Sequence, residues 1–294
     1  MRPTAPLVVG LLECLLMDFV GISQAFKPLV PLKFPRPGSP LGASLAPPAA
    51  GILAPTLSPE NIGILRDEHF VVIPDLVSPW MVSGLLEDVE VLRKSDAAFA
   101  KFASAEHGNV EWFDLLPVRQ PPQAGGNLAA RNCLYELVET IQEAIEGMSG
   151  VSLDSDLTEL KYAVYPSGGR YRRHLDGLNV GAQAREYSFI LYLNADWIAL
   201  DGGHLRVFEY EGGSVRGHLD VEPKAGTIVA FKSDRVPHEV LATNARRVAL
   251  VGWYNRRKTS EEVDTEASAN EELSPLAAAI LQHYKDSGIA VKVG

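Results

Sequence analysis

Four side chains in the second half of this 294-residue chain have types and spacings suited to metal chemistry. His174 and Asp176 stand two apart in Tyr171-Arg-Arg-His-Leu-Asp176. On an extended segment, residues two apart present their side chains to the same face. One imidazole nitrogen and one carboxylate oxygen can then meet a single ion, with Leu175 turned the other way into apolar surroundings. A second imidazole, His238, follows a Ser233-Asp-Arg-Val-Pro237 turn. Two histidines and a carboxylate fill one face of an octahedron and leave positions open, the ligand set of non-haem Fe(II) sites. The same three residue types also hold zinc for hydrolysis, so they do not by themselves fix the metal. Arg247 follows His238 by nine residues and opens the apolar run Val248-Ala-Leu-Val251. A guanidinium in such surroundings needs an anionic partner, and its rigid fork suits a carboxylate. Tyr192, in Ile190-Leu-Tyr-Leu-Asn194, can offer a hydroxyl to the same anion. Arg246 is the local competitor, but strand alternation turns it to the opposite face.

These residues need a scaffold, and the pattern around them is strand-like. Leu160–Tyr165, Tyr187–Leu193, His204–Tyr210, Thr227–Phe231 and Arg247–Tyr254 are short runs rich in β-branched and aromatic residues. Turn signals separate them, including Gly202-Gly203, Gly212-Gly213 and Pro223 to Gly226. Several short strands so spaced predict a sandwich or barrel. Upstream, Ser58-Pro59-Glu60 reads as the start of a helix, and His69–Ile73 as a strand. A second helix begins at Ser78-Pro79, with Val82, Leu85, Leu86, Val89 and Leu92 as its stripe. A third carries Leu134, Leu137, Val138, Ile141 and Ile145. Residues 95–130 have no clear period. Helices first and strands later predict an α+β fold with helices packed outside a double-layered β core. The expected domain runs over 57–257, with helical support at 57–150 and the β core at 157–257. An acidic linker and a helix opening at Ser274-Pro275 fill 258–294.

Residues 1–56 read differently. Two apolar runs behind Arg2 end at Ile22-Ser-Gln-Ala25, and no acid follows Asp18 until Glu60. That is the pattern of a targeting leader, directing the chain to an organelle (a plastid among them) or a secretory route, with the cytoplasm as the alternative; the other reading is a disordered Pro-rich arm. Its uncharged runs are too short for a stable membrane span. The net charge of −10 argues against a nucleic-acid groove as the main function. Two cysteines build neither a disulfide framework nor a cysteine-type zinc site. The Arg170, Arg172, Arg173 group is either a solvated strand edge or a steering patch for an acidic substrate. His69, His107, His204, His218 and His283 are expected to be structural or surface residues.

Taken together, several motifs resemble the Fe(II)/2-oxoglutarate dioxygenases of the prolyl 4-hydroxylase family, most closely its hypoxia-sensing members. They are Tyr165-Pro, His174-Leu-Asp176, Tyr192-Leu-Asn-Ala-Asp-Trp197, Gly202-Gly-His-Leu-Arg-Val-Phe208, Val221-Glu-Pro-Lys224, Ser233 to Val240, Arg247 and Trp253-Tyr254. The resemblance implies a double-stranded β-helix, a jelly-roll or cupin-like core with helices packed N-terminal to it. It implies His174, Asp176 and His238 as iron ligands and Arg247 as the clamp on 2-oxoglutarate. Tyr192 and Tyr165 would hydrogen-bond that co-substrate, with Trp253 packing nearby and no catalytic side chain beyond the metal site. The implied reaction hydroxylates a C–H bond, foremost of a prolyl residue, with succinate and CO2 as co-products and L-ascorbate keeping the iron reduced. The partner would be a protein or peptide bearing the target proline, or a small molecule. The loop after Asp176, Gly177 to Glu186, matches no substrate pattern, and the zinc finger of some animal oxygen sensors is absent. Two other classes stand beside this reading: a non-catalytic β-barrel binding module, and a zinc hydrolase using the same ligands.

Overall fold

Ser58 opens the first helix as expected: its hydroxyl accepts the Asn61 N–H at 3.2 Å, and Pro59 occupies the first turn. In the computed structural model, residues 57–94, 100–104, 108–115, 126–155, 158–177, 183–211 and 214–264 are described. The expected leader, the C-terminal helix, His107, His283, residues 178–182 of the Gly177–Glu186 loop and the Gly212-Gly213 turn lie outside the described residues. Three helices, α1 (Pro59–Glu68), α2 (Pro79–Lys94) and α3 (Leu128–Ser149), precede most of the strands. Asn127 caps α3 by accepting the Ala130 N–H, and Gly150 ends it with a left-handed φ of 68°. Among the described residues no helix is long and apolar enough to cross a membrane.

Eleven strands are described: β1 (Phe70–Ile73), β2 (Ala100–Ser104), β3 (Gly108–Asp114), β4 (Glu159–Tyr165), β5 (Tyr171–His174), β6 (Gln183–Tyr192), β7 (Leu205–Glu211), β8 (Ser214–Val221), β9 (Ile228–Lys232), β10 (His238–Val240) and β11 (Arg247–Arg257). They form a seven-stranded sheet, β1-β9-β6-β11-β4-β3-β2, and a four-stranded sheet, β5-β10-β7-β8, with antiparallel ladders throughout. This is consistent with the double-layered β core that the strand pattern predicts and the double-stranded β-helix that the resemblance implies.

Both faces of the large sheet are covered, and its sequence alternation sorts residues between two cores. Leu160, Tyr162 and Val164 of β4, Phe189 and Leu191 of β6, and Val248 and Leu250 of β11 pack with Leu85, Leu134 and Ile141 of the helices. Ala163, Tyr165, Ile190, Tyr192 and Ala249 point the other way, into the space between the sheets, where Leu205, Val207 and Val240 of the small sheet meet them. Burial on both sides is why these strands read as near-continuous apolar runs. The helix side also holds a buried ion pair. Arg131 donates to both oxygens of Asp88, and Tyr162 adds its hydroxyl at 2.9 Å, so α2, α3 and β4 are tied together.

The structure adds elements that the periodicity does not reveal. β2 and β3 form a hairpin in the stretch 95–130 that has no clear period. β5, β8 and β10 belong to the small sheet, whose outer face is wet and whose sequences Tyr-Arg-Arg-His and His-Glu-Val are polar. Leu86 of the α2 stripe is only partly buried against the core.

Candidate active site

The two histidines come from adjacent strands of the small sheet: β5 and β10 pair so that His174 faces His238, ring centroids 4.4 Å apart. β5 ends at His174, so Asp176 lies in the turn beyond it, not on a continuing strand. Simple alternation is therefore not what brings it back to the histidines, and Leu175 is only half-buried. The turn is pinned by the Gly177 N–H, which donates to the Ser233 carbonyl at 2.8 Å. A Cβ at Gly177 would stand 2.6 Å from the Asp234 Cα, so no larger residue fits without displacing backbone. One ligand atom from each of His174, Asp176 and His238 lies within 4.8 Å of the others, a spacing that can hold a metal ion.

Each ring is oriented by its second nitrogen. His174 Nδ1 lies 2.7 Å from the Arg172 carbonyl and His238 Nδ1 lies 2.9 Å from the Val236 carbonyl. A carbonyl accepts only from N–H, so in the neutral ring each Nε2 carries the lone pair, the form a metal requires. Those Nε2 atoms are 3.2 and 3.8 Å from the Asp176 carboxylate. Burial pushes His238 down to about 4, against the opposing pull of Asp176, so it is a neutral ligand at physiological pH. Burial alone would raise Asp176, but His174, His238 and the Ser188 hydroxyl together hold it well below the ordinary carboxylate range. Ser188 donates to Asp176 Oδ2 at 2.7 Å and shares a 2.8 Å contact with Ser233. Neither serine carries a sequence signal for this role; they enter the site only through the β6–β9 pairing of Ser188 with Phe231.

Arg247 lies on the inner face of β11, 3% exposed, with its guanidinium carbon 5.1 and 5.2 Å from the rings of Tyr165 and Tyr192. Its Nε donates to the Gly203 carbonyl at 2.8 Å. Its Nη2 and the Tyr192 hydroxyl are both buried with no hydrogen-bond partner among the described residues. Burial pushes the Tyr192 phenol up to about 12 although Arg247 pulls it the other way, and Tyr165 is raised for the same reasons. Gly203, read from the sequence as a turn and as part of the Gly202–Phe208 motif, has a φ of 72°, and a Cβ there would sit 3.0 Å from Arg247 Cδ. Arg246 lies on the outside, 41% exposed and paired with Glu90.

Trp253 is on the same face of β11 as Arg247, opposite Ser188 across the β6 ladder, and so beside the Asp176 support rather than beside the arginine. Its indole N–H is buried and unpartnered, and the Arg185 guanidinium lies 4.1 Å from its ring. The site is thus polar at two ends of one inner face: cation and tyrosine hydroxyl at one, carboxylate and two imidazoles at the other. The donor set fits a divalent iron with open positions. The orphaned Nη2 and hydroxyl fit one carboxylate of a small diacid, since an unpaired buried charge is otherwise very costly. His69 takes the left-handed conformation after α1, and His204 packs edge-on against Trp197; neither belongs to the cluster of metal-ligating groups.

Residues 160–255 match the 2OG-Fe(II) oxygenase superfamily. Egl nine homolog 1 of Rattus norvegicus is 42% identical over 100 residues, which is 33% of this chain and 28% of that protein. Prolyl hydroxylase EGLN3 of Mus musculus is 37% identical over 136 residues, 44% of this chain and 55% of that protein. The chain therefore spans between about a quarter and just over half the length of these relatives. Among solved structures, a prolyl-4-hydroxylase of Pseudomonas putida is 30% identical with a TM-score of 0.56, covering 68% of this chain and 98% of that one. A prolyl hydroxylase of Trichoplax adhaerens, solved with a hypoxia inducible factor peptide, shares the fold at 22% identity and a TM-score of 0.55, covering 66% of this chain and 86% of that one.

Proposed function

Because the chain belongs to the 2OG-Fe(II) oxygenase superfamily, we propose that it is an Fe(II)- and 2-oxoglutarate-dependent dioxygenase that hydroxylates a prolyl residue of a protein or peptide. The observation that carries this reading is the buried Arg247 with its unpartnered Nη2 beside the unpartnered Tyr192 hydroxyl, on the face that also leads to the His174, Asp176 and His238 cluster. A zinc hydrolase would make Arg247 a substrate binder and would need no oxygen, and a pure binding module has no need of the ligand set.

In this reading His174, Asp176 and His238 hold the iron through two neutral nitrogens and one carboxylate. When bound, the iron supplies the oxygen activation that couples oxidative decarboxylation of 2-oxoglutarate, to succinate and CO2, to hydroxylation of a C–H bond. Arg247 pairs with the distal carboxylate of 2-oxoglutarate and Tyr192 donates its hydroxyl to it. With a phenol pushed up to about 12, Tyr192 stays protonated and remains a donor. Tyr165 flanks the guanidinium and shields that ion pair from water. Ser188 keeps Asp176 ionised and oriented, and the apolar wall of Ile190, Val229 and Val207 excludes water from the space between the sheets. Trp253 lines the metal end, where the substrate enters. L-Ascorbate restores the reduced metal, and residues 1–56 act as a targeting leader, which a fluorescent fusion of that segment tests.

The test is an anaerobic titration of the Fe(II)-loaded protein with 2-oxoglutarate, following the charge-transfer absorption of the chelate. The band is expected to form, to weaken strongly in Arg247→Ala and to vanish in His238→Ala. Admission of air with proline-containing peptides is expected to give a product heavier by one oxygen atom and matching succinate. An iron-loaded protein that shows no band refutes the dioxygenase reading.

A further inference from the structure

The inner face of the large sheet carries charge at the metal end, and that charge is organised around Trp253. β4 presents Tyr165, Ala163, Lys161 and Glu159 in turn to the space between the sheets. The first two are fully buried, whereas the Lys161 and Glu159 side chains are 29% and 27% exposed, so the inter-sheet space opens to solvent here. Lys161 Nζ lies 5.8 Å from the Trp253 ring centroid, and Trp253 in turn faces Ser188, the donor to Asp176. A second cation reaches the same ring. In the β6–β11 ladder Tyr254 faces Tyr187 and Asn255 faces Arg185, leaving Glu186 as the extra residue of a bulge. The bulge re-aims Arg185 over Trp253.

The two cations are not equivalent. Glu159 engages Arg185 with both oxygens, at 3.0 and 2.9 Å from Nε and Nη2, and this fork pairing leaves little charge for another anion. Among the described residues Lys161 has only Asp114 as an ionic partner, 3.1 Å from its ammonium, and the Asp114 side chain is 68% exposed. An ion pair so open to water is weak and readily exchanged. Of these two cations, Lys161 is therefore the one whose charge remains available.

We propose that Lys161 is a specificity-determining residue that binds a carboxylate of the substrate, so that the preferred substrate carries an acid close to the carbon that reacts. The carboxylate can belong to an Asp or Glu side chain flanking the target proline or to a nearby chain terminus. This inference rests on the proposed prolyl hydroxylation, and binding is measured separately from turnover so that the two can fail independently.

The experiment uses the full chain loaded anaerobically with Fe(II) and 2-oxoglutarate, and fluorescein-labelled peptides read by anisotropy. One peptide places Asp beside the proline, a second replaces it with Asn and ends in an amide, and a third is the Asn peptide ending in a free carboxylate next to the proline. The Asp peptide is expected to bind about five-fold tighter than the Asn amide, the size of a partly exposed ion pair. Lys161→Met is expected to abolish that preference and Lys161→Glu to reverse it, while the charge-transfer band stays intact. Asp114→Asn, which removes the competing acid, is expected to enlarge the preference. Tighter binding of the third peptide than the second assigns the carboxylate to a chain terminus as well. Equal binding of the acidic and amide peptides, a preference that survives Lys161→Met, or no binding of any peptide overturns the proposal. Acid-selective binding without hydroxylation in air leaves Lys161 in place and overturns the prolyl reaction.

Discussion

Ser188→Ala is the most informative single perturbation, because it removes one hydroxyl and leaves all three proposed ligands in place. Ser188 Oγ donates to Asp176 Oδ2 at 2.7 Å, in a pocket where Asp176 is 7% exposed and Ser188 fully buried. That bond holds one carboxylate oxygen and leaves Oδ1 turned toward His174 Nε2, 3.2 Å away. A hydrogen bond to a charged group contributes about 1.5–3 kcal/mol. At about 1.4 kcal/mol per factor of ten, its loss corresponds to a drop of roughly 10- to 100-fold in metal affinity, the range seen when supports of metal ligands are removed. The assay is Fe(II) or Mn(II) binding by competition with a coloured chelator, with circular dichroism on the same samples. Ser233→Ala, one contact further out at 2.8 Å from Ser188, is expected to give a smaller loss in the same direction. Metal affinity in Ser188→Ala within about threefold of the unmutated protein, with the fold intact, would refute the reasoning that Ser188 holds Asp176 for the metal.

Three further outcomes follow from the same geometry. Gly203→Ala places a methyl 3.0 Å from Arg247 Cδ on a residue with φ of 72°, so 2-oxoglutarate affinity should fall about tenfold with metal affinity unchanged, as calorimetry would read. Metal-free protein should lose stability as pH falls from about 6.5 toward 4, and chemical denaturation across that range measures it. His238, pushed down to about 4 in the fold, stays neutral there while the unfolded chain takes up a proton, so the unfolded state binds more protons throughout that window. Below the folded value the contribution of His238 levels off. Arg131→Met leaves Asp88 buried and unpaired between α2 and α3, and should cost about 3–5 kcal/mol in denaturant unfolding without changing the ligand geometry.

The sequence by itself made the candidate ligand set and the class of fold legible. His174, Asp176, His238 and Arg247 are legible because each is a reactive residue type within a short motif, and because alternation along Arg247–Tyr254 separates Arg247 from Arg246. The three helices and the strands of the large sheet are legible because both faces of that sheet are buried, which leaves strong apolar runs. The tertiary structure alone decided how the site is held. Asp176 meets the histidines through a turn pinned by Gly177 and Ser233, a contact across 56 residues of chain (177 to 233). Ser188, Gly203 and the inward-facing Lys161 are of ordinary residue types, and only strand register gives them a place. β5 and β10 escape the pattern because a short strand with one wet face needs few apolar residues, β8 because it is a polar edge strand, and the β2–β3 hairpin lies in a stretch with no period to read. Local periodicity reports burial, and ligand types report chemistry. Which side chain supports which ligand depends on pairings between distant segments, and these form only when the two sheets close.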